Sequence, residues 1–491
     1  MKNPVSNCPD LSRFNHFYLM GIKGVAMTSL AQILLDLNKQ VTGCDVPDQF
    51  VTQKILDRLP IKIDAGFIHQ LSKNIECVIY TGAHGGVKNP VVEQAIEKNI
   101  PIISQAEALA CLFNQKKGVA VCGVGGKSTV SAMITWILEK NNLQPSFSVG
   151  VGEILGMKRT GQWRASSEIF VAEADEYVIN PGEQITSNNK FIPRFSFLTP
   201  SITICTNLEY DHPDVYSSLN HTREIFTQFF LQIKPGGTLI INQDNQNLQE
   251  ITKSLKLELR KKQIKILRFG TSDADCQLLK HEIIKQTNIG KIQLNGQQYQ
   301  LKLKIPGKFN LLNALSACLA TQELGVSIEH SLSALAQFQN TQRRFEFKGE
   351  KNGVLYYDDY AHHPNEVRET ILALQKWHPD RRRVIAFQPH TYSRTKKLLA
   401  GFATALSQAD EVLLLDIFPS ARENYDPTIS SDILLEKIKE LNPEIKISNL
   451  KTISSLADYC QHQLETGDVI LTMGAGDIYE VHERVASDII T

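Results

Sequence analysis

The stretch that decides the fold reads Val119-Ala120-Val121-Cys122-Gly123-Val124-Gly125-Gly126-Lys127-Ser128-Thr129. It joins a short apolar strand to a glycine-rich loop. The residues that follow form an amphipathic helical pattern with Val130, Met133, Ile134, Ile137 and Leu138 on one face. A strand, a glycine loop and a helix in this order are typical of α/β domains that meet a phosphate at the helix N-terminus. The stretch therefore predicts a nucleotide-binding unit.

Each residue type in this loop suits a phosphate site. Gly123, Gly125 and Gly126 allow successive backbone N–H groups to face an anion. Lys127 can reach the terminal phosphates of ATP, Ser128 can hold Mg²⁺, and Thr129 completes the predicted ATP-binding set. Val121 stands where the full pattern has its first glycine, so the loop is a shortened variant. An ordinary glycine turn that happens to precede Lys-Ser is the alternative.

Acidic residues follow two further apolar strands. Ile169–Ala172 leads into Glu173-Ala174-Asp175-Glu176, and Ile202–Thr206 leads into Glu209-Tyr210-Asp211-His212. Ligands of open parallel sheets bind at the carboxyl ends of the strands. We therefore expect Ser128, Glu173 and His212 to converge on a Mg²⁺ site. Because an imidazole is an unusual ligand for so hard a cation, Mn²⁺ is a second candidate.

Outward from the loop, strand and helix patterns alternate along all 491 residues. The length is a prior for about three domains. We predict an α/β protein with a Rossmann-like N-terminal domain (1–116), a central P-loop ATPase-like domain (117–325) and a Rossmann-like C-terminal domain (326–491). Within the central domain, alternating residues around Asn295-Gly296 predict an antiparallel hairpin on a type I′ turn.

Composition excludes several classes of protein. Fifty-two basic residues balance fifty-two acidic ones, so no bulk positive charge favours a nucleic acid or a membrane as partner. The nine cysteines, Cys8 and Cys111 among them, are scattered without a C-x-x-C pair, which favours buried thiols over a disulfide framework. No apolar run has the length of a membrane span, and the start lacks a signal-peptide core. We expect a cytoplasmic protein.

The first predicted domain also opens with a strand and a glycine turn. Gly21, Lys23 and Ala26 occupy the fingerprint positions of a dinucleotide site, and Asp45 ends the next strand. A lysine at the second position would block the close approach of a dinucleotide backbone. A lysine beside a diphosphate would nevertheless be useful, so a different nucleotide is favoured over NAD.

Several ordered motifs give this chain a family resemblance. They are His16 to Met27, the phosphate loop, Glu173-Ala174-Asp175-Glu176, Pro306 to Ala314, Arg343-Arg344-Phe345, Asp358 to Pro364, Phe387 to Thr395, and Met473-Gly474-Ala475-Gly476-Asp477. Together they span nearly the whole chain. It resembles the Mur ligases, the ATP-dependent amide-forming enzymes of peptidoglycan precursor synthesis. The resemblance implies that the three domains hold a UDP-sugar, ATP and an amino acid, in that order.

The resemblance also implies roles for single residues. The UDP-sugar would contact Gly21, Ile22, Lys23, Gly24, Met27 and Asp45. ATP would contact the phosphate loop, Asn310, Asn313, Arg344 and Asp359. The amino acid would meet Tyr360, His362 and Arg394. From the residues alone, Asn310 and Asn313 could equally be polar caps at a helix start.

The implied reaction activates the lactyl carboxylate of UDP-N-acetylmuramate as an acyl phosphate, which the amine of the amino acid then attacks. Lys127, Glu173, His212, His362 and Arg394 are the predicted catalytic residues, with His362 and His363 as candidate bases. L-Alanine is the favoured amino acid. A murein tripeptide or another amino acid is the alternative.

Some positions depart from the alanine-adding pattern. Thr391 stands where an arginine is usual, Phe418 to Asn424 replaces the usual loop, and the segment from Glu176 through Lys190 to His212 is closer to tripeptide-adding members. Thr81 to Gly86 has no assigned role. Two other classes, a P-loop kinase or NTPase and a silent sugar-nucleotide sensor, are weaker because Lys127, Glu173 and His212 are all present.

Overall fold

The computed structural model describes residues 9–181, 191–419 and 423–485. Cys8, Lys190 and residues 420–422 lie outside these ranges. Within the described ranges, no helix combines the length and the apolar character needed to cross a bilayer. The chain forms three α/β units in series, each built around its own sheet, and we call these units layers. The predicted fold class is therefore confirmed.

The first layer contains a five-stranded parallel sheet. Its strands are β1 (His16–Met20), β2 (Gln40–Asp45), β3 (Lys62–Ala65), β4 (Cys77–Tyr80) and β5 (Ile102–Ser104). The strand order β3-β2-β1-β4-β5 is that of a Rossmann-type half-sheet. The helices are α1 (Val25–Asp36), α2 (Gln53–Leu56), α3 (Pro90–Glu97) and α4 (Gln105–Phe113). Strand β1 is buried along its whole length, as expected of a central parallel strand.

The central layer contains a ten-stranded sheet. Its strands are β6 (Lys117–Cys122), β7 (Ser146–Ser148), β8 (Gly161–Gln162), β9 (Ile169–Glu173), β10 (Ile202–Cys205), β11 (Thr238–Asn242), β12 (Lys265–Gly270), β13 (Cys276–Ile284), β14 (Thr287–Leu294) and β15 (Gln297–Leu303). The order is β15-β14-β13-β12-β11-β10-β6-β9-β7-β8. Strands β9 and β10 therefore flank β6, and their acidic ends lie on either side of the phosphate loop.

Six helices belong to this layer, and the predicted hairpin is present. The helices are α5 (Lys127–Lys140), α6 (Leu219–Phe230), α7 (Gln246–Ser254), α8 (Lys256–Lys261), α9 (Lys308–Gln322) and α10 (Ile328–Leu335). Strands β14 and β15 pair antiparallel, and Asn295 and Gly296 both have positive φ, as a type I′ turn requires. Helices α5, α9 and α10 share one apolar core, which extends to Phe338.

The third layer contains a six-stranded sheet. Its strands are β16 (Glu346–Lys351), β17 (Val354–Asp359), β18 (Arg382–Phe387), β19 (Glu411–Leu415), β20 (Lys446–Lys451) and β21 (Asp468–Met473). The order is β16-β17-β21-β18-β19-β20, and only β16 runs antiparallel. The helices are α11 (Pro364–Trp377), α12 (Tyr392–Lys397), α13 (Leu399–Leu406), α14 (Ser431–Leu441), α15 (Ile453–His462) and α16 (Val481–Val485).

Eight of the cysteines lie in the described ranges, and seven of these follow the sequence expectation. Seven are free and buried, namely Cys44, Cys77, Cys122, Cys205, Cys276, Cys318 and Cys460. Cys111 is disulfide-bonded, so the expectation of buried thiols is wrong at this position.

Candidate active site

The phosphate loop connects β6 to α5, and its backbone geometry requires glycine. Gly126 precedes the helix with φ of 86°, and a Cβ there would lie 2.8 Å from the Asn313 amide oxygen. The Gly125 N–H donates to the Asn207 side chain at 3.0 Å. Asn207, which follows β10, was absent from the predicted site, because an asparagine at a strand end is an ordinary turn residue.

Ser128 and Glu173 lie side by side beneath this loop. The Ser128 hydroxyl donates to Glu173 Oε2 at 3.2 Å, and the Gly150 N–H donates to Glu173 Oε1 at 2.7 Å. Burial raises the pKa of Glu173, although these hydrogen bonds and Lys127 oppose the shift. A half-buried carboxylate next to a hydroxyl fits a hard divalent cation, which takes oxygen ligands.

Lys127 and His212 both contact Glu176. The Lys127 ammonium lies 3.1 Å from Glu176 Oε2 and donates to the Gly123 carbonyl at 2.7 Å, and His212 Nε2 lies 3.4 Å from Glu176 Oε1. Burial opposes the charge on Lys127, yet Glu176 and Asp175 raise its pKa. His212 has φ of 54°, a backbone strain that is often found at functional sites. Thus the structure pairs His212 with Glu176, while Ser128 and Glu173 form the adjacent pair.

Arg394 spans two layers. From α12 it contacts Asp211, which follows β10: both Nε and Nη2 lie 3.0 Å from Asp211 Oδ1, and Nη1 lies 3.2 Å from His390 Nδ1. Burial alone would raise the pKa of Asp211, but His212 and Arg394 hold it well below its usual value. Arg394, a residue of the third layer, is therefore paired with a carboxylate of the central layer.

The two candidate histidines have different surroundings. His363 is the N-cap of α11, where its ring accepts from the Asn365 N–H at 3.4 Å. In His362, Nδ1 lies 2.9 Å from the Tyr360 carbonyl and 3.6 Å from Glu366. Burial and Arg394 lower the pKa of His362 to about 4, so its ring is neutral at physiological pH.

Three neighbouring cavities surround these groups. We name the largest, of about 330 Å³, the central cavity; it is lined by residues of all three layers, including Ala26, Lys127, Ser128, Glu173, His212, Arg344, Tyr360, His362 and Arg394. A cavity of about 140 Å³, the lateral cavity, is lined by Thr129, Asn310, Asn313, Arg344 and Asp359. Gly126, Arg344 and Glu366 line both, so these two cavities are adjacent.

Within the lateral cavity, the predicted ATP contacts also have structural partners. Asn310 donates to the Pro306 carbonyl at 2.7 Å, and Asp359 accepts the N–H groups of Phe345 and Ala361, each at 2.7 Å. Burial raises the pKa of Asp359 to about 6, although Arg344 opposes the shift. Glu366 was missed, since its position on a helix predicted only a solvated charge.

The third cavity, of about 200 Å³, lies at the first sheet, and we call it the N-terminal cavity. Gly21, Gly24, Met27 and Asp45 line it, whereas Ile22 is buried in the core of the first layer. The Lys23 ammonium donates to the carbonyls of Val46 at 2.8 Å, Pro47 at 3.3 Å and Asp48 at 2.5 Å.

The Lys23 side chain therefore lies elsewhere than the sequence suggested. It does not line the N-terminal cavity, because a buried ammonium needs acceptors and the loop after β2 supplies three carbonyls. The backbone N–H of Lys23 instead donates to Asp45 Oδ2 at 2.7 Å. Burial raises the pKa of Asp45, although this N–H and that of Val46 oppose the shift.

The unexplained segment from Thr81 to Gly86 forms another wall of the N-terminal cavity. Thr81, Gly82, Ala83 and His84 line it. A Cβ on Gly82 would lie 2.2 Å from the Ile179 carbonyl oxygen, so only glycine permits this close approach to the central layer. The departures Thr391 and Phe418 lie near Arg394, where Phe418 stacks on His390 at 5.8 Å between ring centroids.

Comparison with known proteins identifies the family. Residues 16–117 match the Mur ligase family catalytic domain, residues 121–321 the Mur ligase middle domain, and residues 343–476 the Mur ligase glutamate ligase domain. The chain belongs to the Mur ligase family.

Individual relatives define the likeness further. A UDP-N-acetylmuramate--L-alanine ligase of Desulfitobacterium hafniense is 34% identical over 479 residues, which are 96% of this chain and 99% of the relative. The MurC crystal structure from Thermotoga maritima is 23% identical, with a TM-score of 0.78 over 96% of this chain and 98% of that one. The murein peptide ligase of Psychrobacter arcticus, also 23% identical, has a TM-score of 0.69 over 97% and 99% of the two chains.

Proposed function

We propose that this protein is a UDP-N-acetylmuramate–L-alanine ligase, which uses ATP to join L-alanine to the lactyl carboxylate of the sugar nucleotide. The observation that carries the proposal is the central cavity, which the start of α1 in the first layer, the phosphate loop of the second and Arg394 of the third all reach. Three reactants are needed, and each layer contributes one part of the cavity. The full-length likeness to alanine ligases supports the same choice.

In this proposal the carboxylate attacks the γ-phosphorus of ATP, and ADP leaves as the acyl phosphate forms. The amine of L-alanine then attacks the acyl carbon, and the tetrahedral intermediate expels phosphate. Two anions must meet in the first step, so positive charge and positioning supply most of the catalysis. Lys127 would turn from Glu176 to the phosphates, and the N–H groups of Gly125 and Gly126 would orient them.

Ser128 and Glu173 would hold a divalent cation, with His212 nearby. When bound, that ion neutralises charge on the phosphate oxygens. The Ser128–Glu173 pair is an oxygen ligand set, which favours Mg²⁺, while the imidazole of His212 would also suit Mn²⁺.

The third layer would supply the amino-acid site. Arg394 would bind the carboxylate of L-alanine through N–H groups that Asp211 leaves free, beside Tyr360 and His362. His362 is the proposed base because its ring is neutral and lines the cavity, whereas His363 caps a helix.

The same proposal divides the chain at about residues 116 and 325 into UDP-sugar, ATP and amino-acid domains, and assigns the reaction to the cytoplasm. The packing of α10 and Phe338 on the central core favours a later second boundary, near residue 340. We assign ATP to the lateral cavity through Asn310, Asn313, Arg344 and Asp359, and the UDP-sugar to the N-terminal cavity through Gly21, Gly24, Met27 and Asp45.

Phosphate release tests the proposal. The protein is incubated with ATP, Mg²⁺ and UDP-N-acetylmuramate, and L-alanine, glycine, L-serine or the murein tripeptide is added in turn. We expect release that depends on both the sugar nucleotide and L-alanine. Release with the tripeptide alone would instead make the protein a murein-peptide ligase, and release that needs no acceptor would indicate an NTPase.

A further inference from the structure

Arg194 lies where two cavities meet. It is the first residue of the 3-10 turn Arg194–Phe197, which lies beside the acidic segment that follows β9. Five residues line both the N-terminal and the central cavity: Val25, Ala26, Gln105, Ala106 and Arg194. Arg194 is the ionisable residue among these five. A ligand that extends from the N-terminal cavity into the central cavity would lie beside its guanidinium.

The backbone around Arg194 is held firmly. The Arg194 N–H donates to the Tyr177 carbonyl at 2.8 Å, and the Phe195 N–H donates to the Asp175 carbonyl at 3.0 Å. The ring of Phe195 stacks on Phe229 with 4.3 Å between centroids. A cation on a fixed turn loses little conformational freedom when it binds an anion, so the site is preorganised.

The side chain keeps donors available for a ligand. Nη1 donates to Asp175 Oδ2 at 2.9 Å, and the guanidinium lies 5.6 Å from the Tyr177 ring centroid. Within the described ranges, Asp175 is the side-chain acceptor of Arg194, and a guanidinium has five N–H donors.

The chemistry of the position favours a carboxylate. A diphosphate at the glycine turn would place the sugar ring at the junction, with its acidic substituent directed toward Lys127. The remaining guanidinium N–H groups match a planar carboxylate in a bidentate arrangement. We propose that Arg194 binds the lactyl carboxylate of the sugar nucleotide and so selects a sugar that carries this acid. The inference rests on the proposed function and adds a specificity residue to it.

Two ligands that differ in one group test the inference. UDP-N-acetylglucosamine has the same diphosphate and sugar as UDP-N-acetylmuramate but lacks the lactyl carboxylate. Calorimetry measures the Kd of each ligand for the wild-type protein, Arg194→Met, Arg194→Lys and the control Arg164→Met. Arg164 is a half-buried arginine of the central layer that pairs with Glu139 and lines none of the three cavities.

We expect Arg194→Met to raise the Kd of UDP-N-acetylmuramate at least tenfold and to leave the Kd of UDP-N-acetylglucosamine unchanged. Arg194→Lys should give an intermediate Kd for UDP-N-acetylmuramate, and the control should match the wild type. An equal loss of affinity for both ligands would overturn the inference in favour of a diphosphate contact. Unchanged affinity for both ligands would overturn it outright. Retained ATP binding verifies that each variant is folded. If Arg194→Met does not bind ATP, the Kd values of Arg194→Lys test the inference instead. A wild-type protein that binds neither ligand would overturn the proposed function as well.

Discussion

Lys127 and Glu176 form a buried ion pair, with 3.1 Å between the ammonium nitrogen and Glu176 Oε2. The exposed fractions of the two side chains are 16% and 2%. Both side chains line the central cavity, so the carboxylate holds the ammonium that a phosphate oxygen would meet in the proposed function. In the proposed function, a phosphate of ATP would replace this carboxylate at the ammonium.

The first prediction concerns Lys127. Replacing it with alanine removes the charge that meets the terminal phosphates, so we expect Lys127→Ala to abolish ADP formation. The N-terminal cavity lies apart from this residue, and binding of the UDP-sugar should change by less than about threefold. Coupled ADP release and calorimetry measure the two effects. Normal turnover in this variant would contradict the assignment of the loop.

The second prediction concerns Glu176. In Glu176→Gln the ammonium keeps a weak acceptor but no longer faces a competing charge. We expect ATP to bind about three- to tenfold more tightly, which corresponds to about 1 kcal/mol. Glu139→Gln, which breaks a half-buried ion pair with Arg164, is the matched control. Weaker ATP binding in Glu176→Gln would show that the carboxylate assists the nucleotide rather than competing with it.

The third prediction concerns Arg394. Lysine at this position keeps the charge but cannot hold Asp211 and a second carboxylate in a planar fork. We expect Arg394→Lys to raise the KM for L-alanine by about 10- to 100-fold while the Kd values of ATP and the UDP-sugar stay near wild type. Steady-state kinetics with varied L-alanine check this. An unchanged KM for L-alanine would contradict the assignment of Arg394 to the amino-acid site.

The fourth prediction concerns pH and His482. Burial lowers the pKa of His482 to about 4, and its Nε2 lies 2.8 Å from the Thr472 hydroxyl. The unfolded chain takes up this proton near pH 6.5, whereas the folded chain does not, so stability is lost as pH falls from 6.5 toward 4. The loss is about 2 kcal/mol at pH 5.

His482→Gln should therefore show a smaller decrease in Tm between pH 7.5 and pH 5 than the wild type. Thermal unfolding followed by circular dichroism measures this decrease. His330→Gln, at an exposed helix position, should retain the wild-type pH dependence. An identical decrease in His482→Gln and wild type would contradict the buried neutral histidine.

The sequence alone predicted the local elements. Strand β6, the glycine loop and α5 follow from contiguous residues, because helix and strand periodicity and the backbone freedom of glycine are short-range properties. The same holds for the Asn295-Gly296 turn. The three layers and the family also followed from the order of such motifs along the chain.

The tertiary structure alone decided how charges pair. Arg394 meets Asp211, 183 residues away in sequence, and Lys127 meets Glu176 rather than solvent. The Lys23 ammonium donates to carbonyls of the loop after β2, and Arg194 lines two cavities. A buried charge takes whichever partner the packing of separate sheets brings within a few ångströms, and this distance is not a property of any contiguous stretch of sequence.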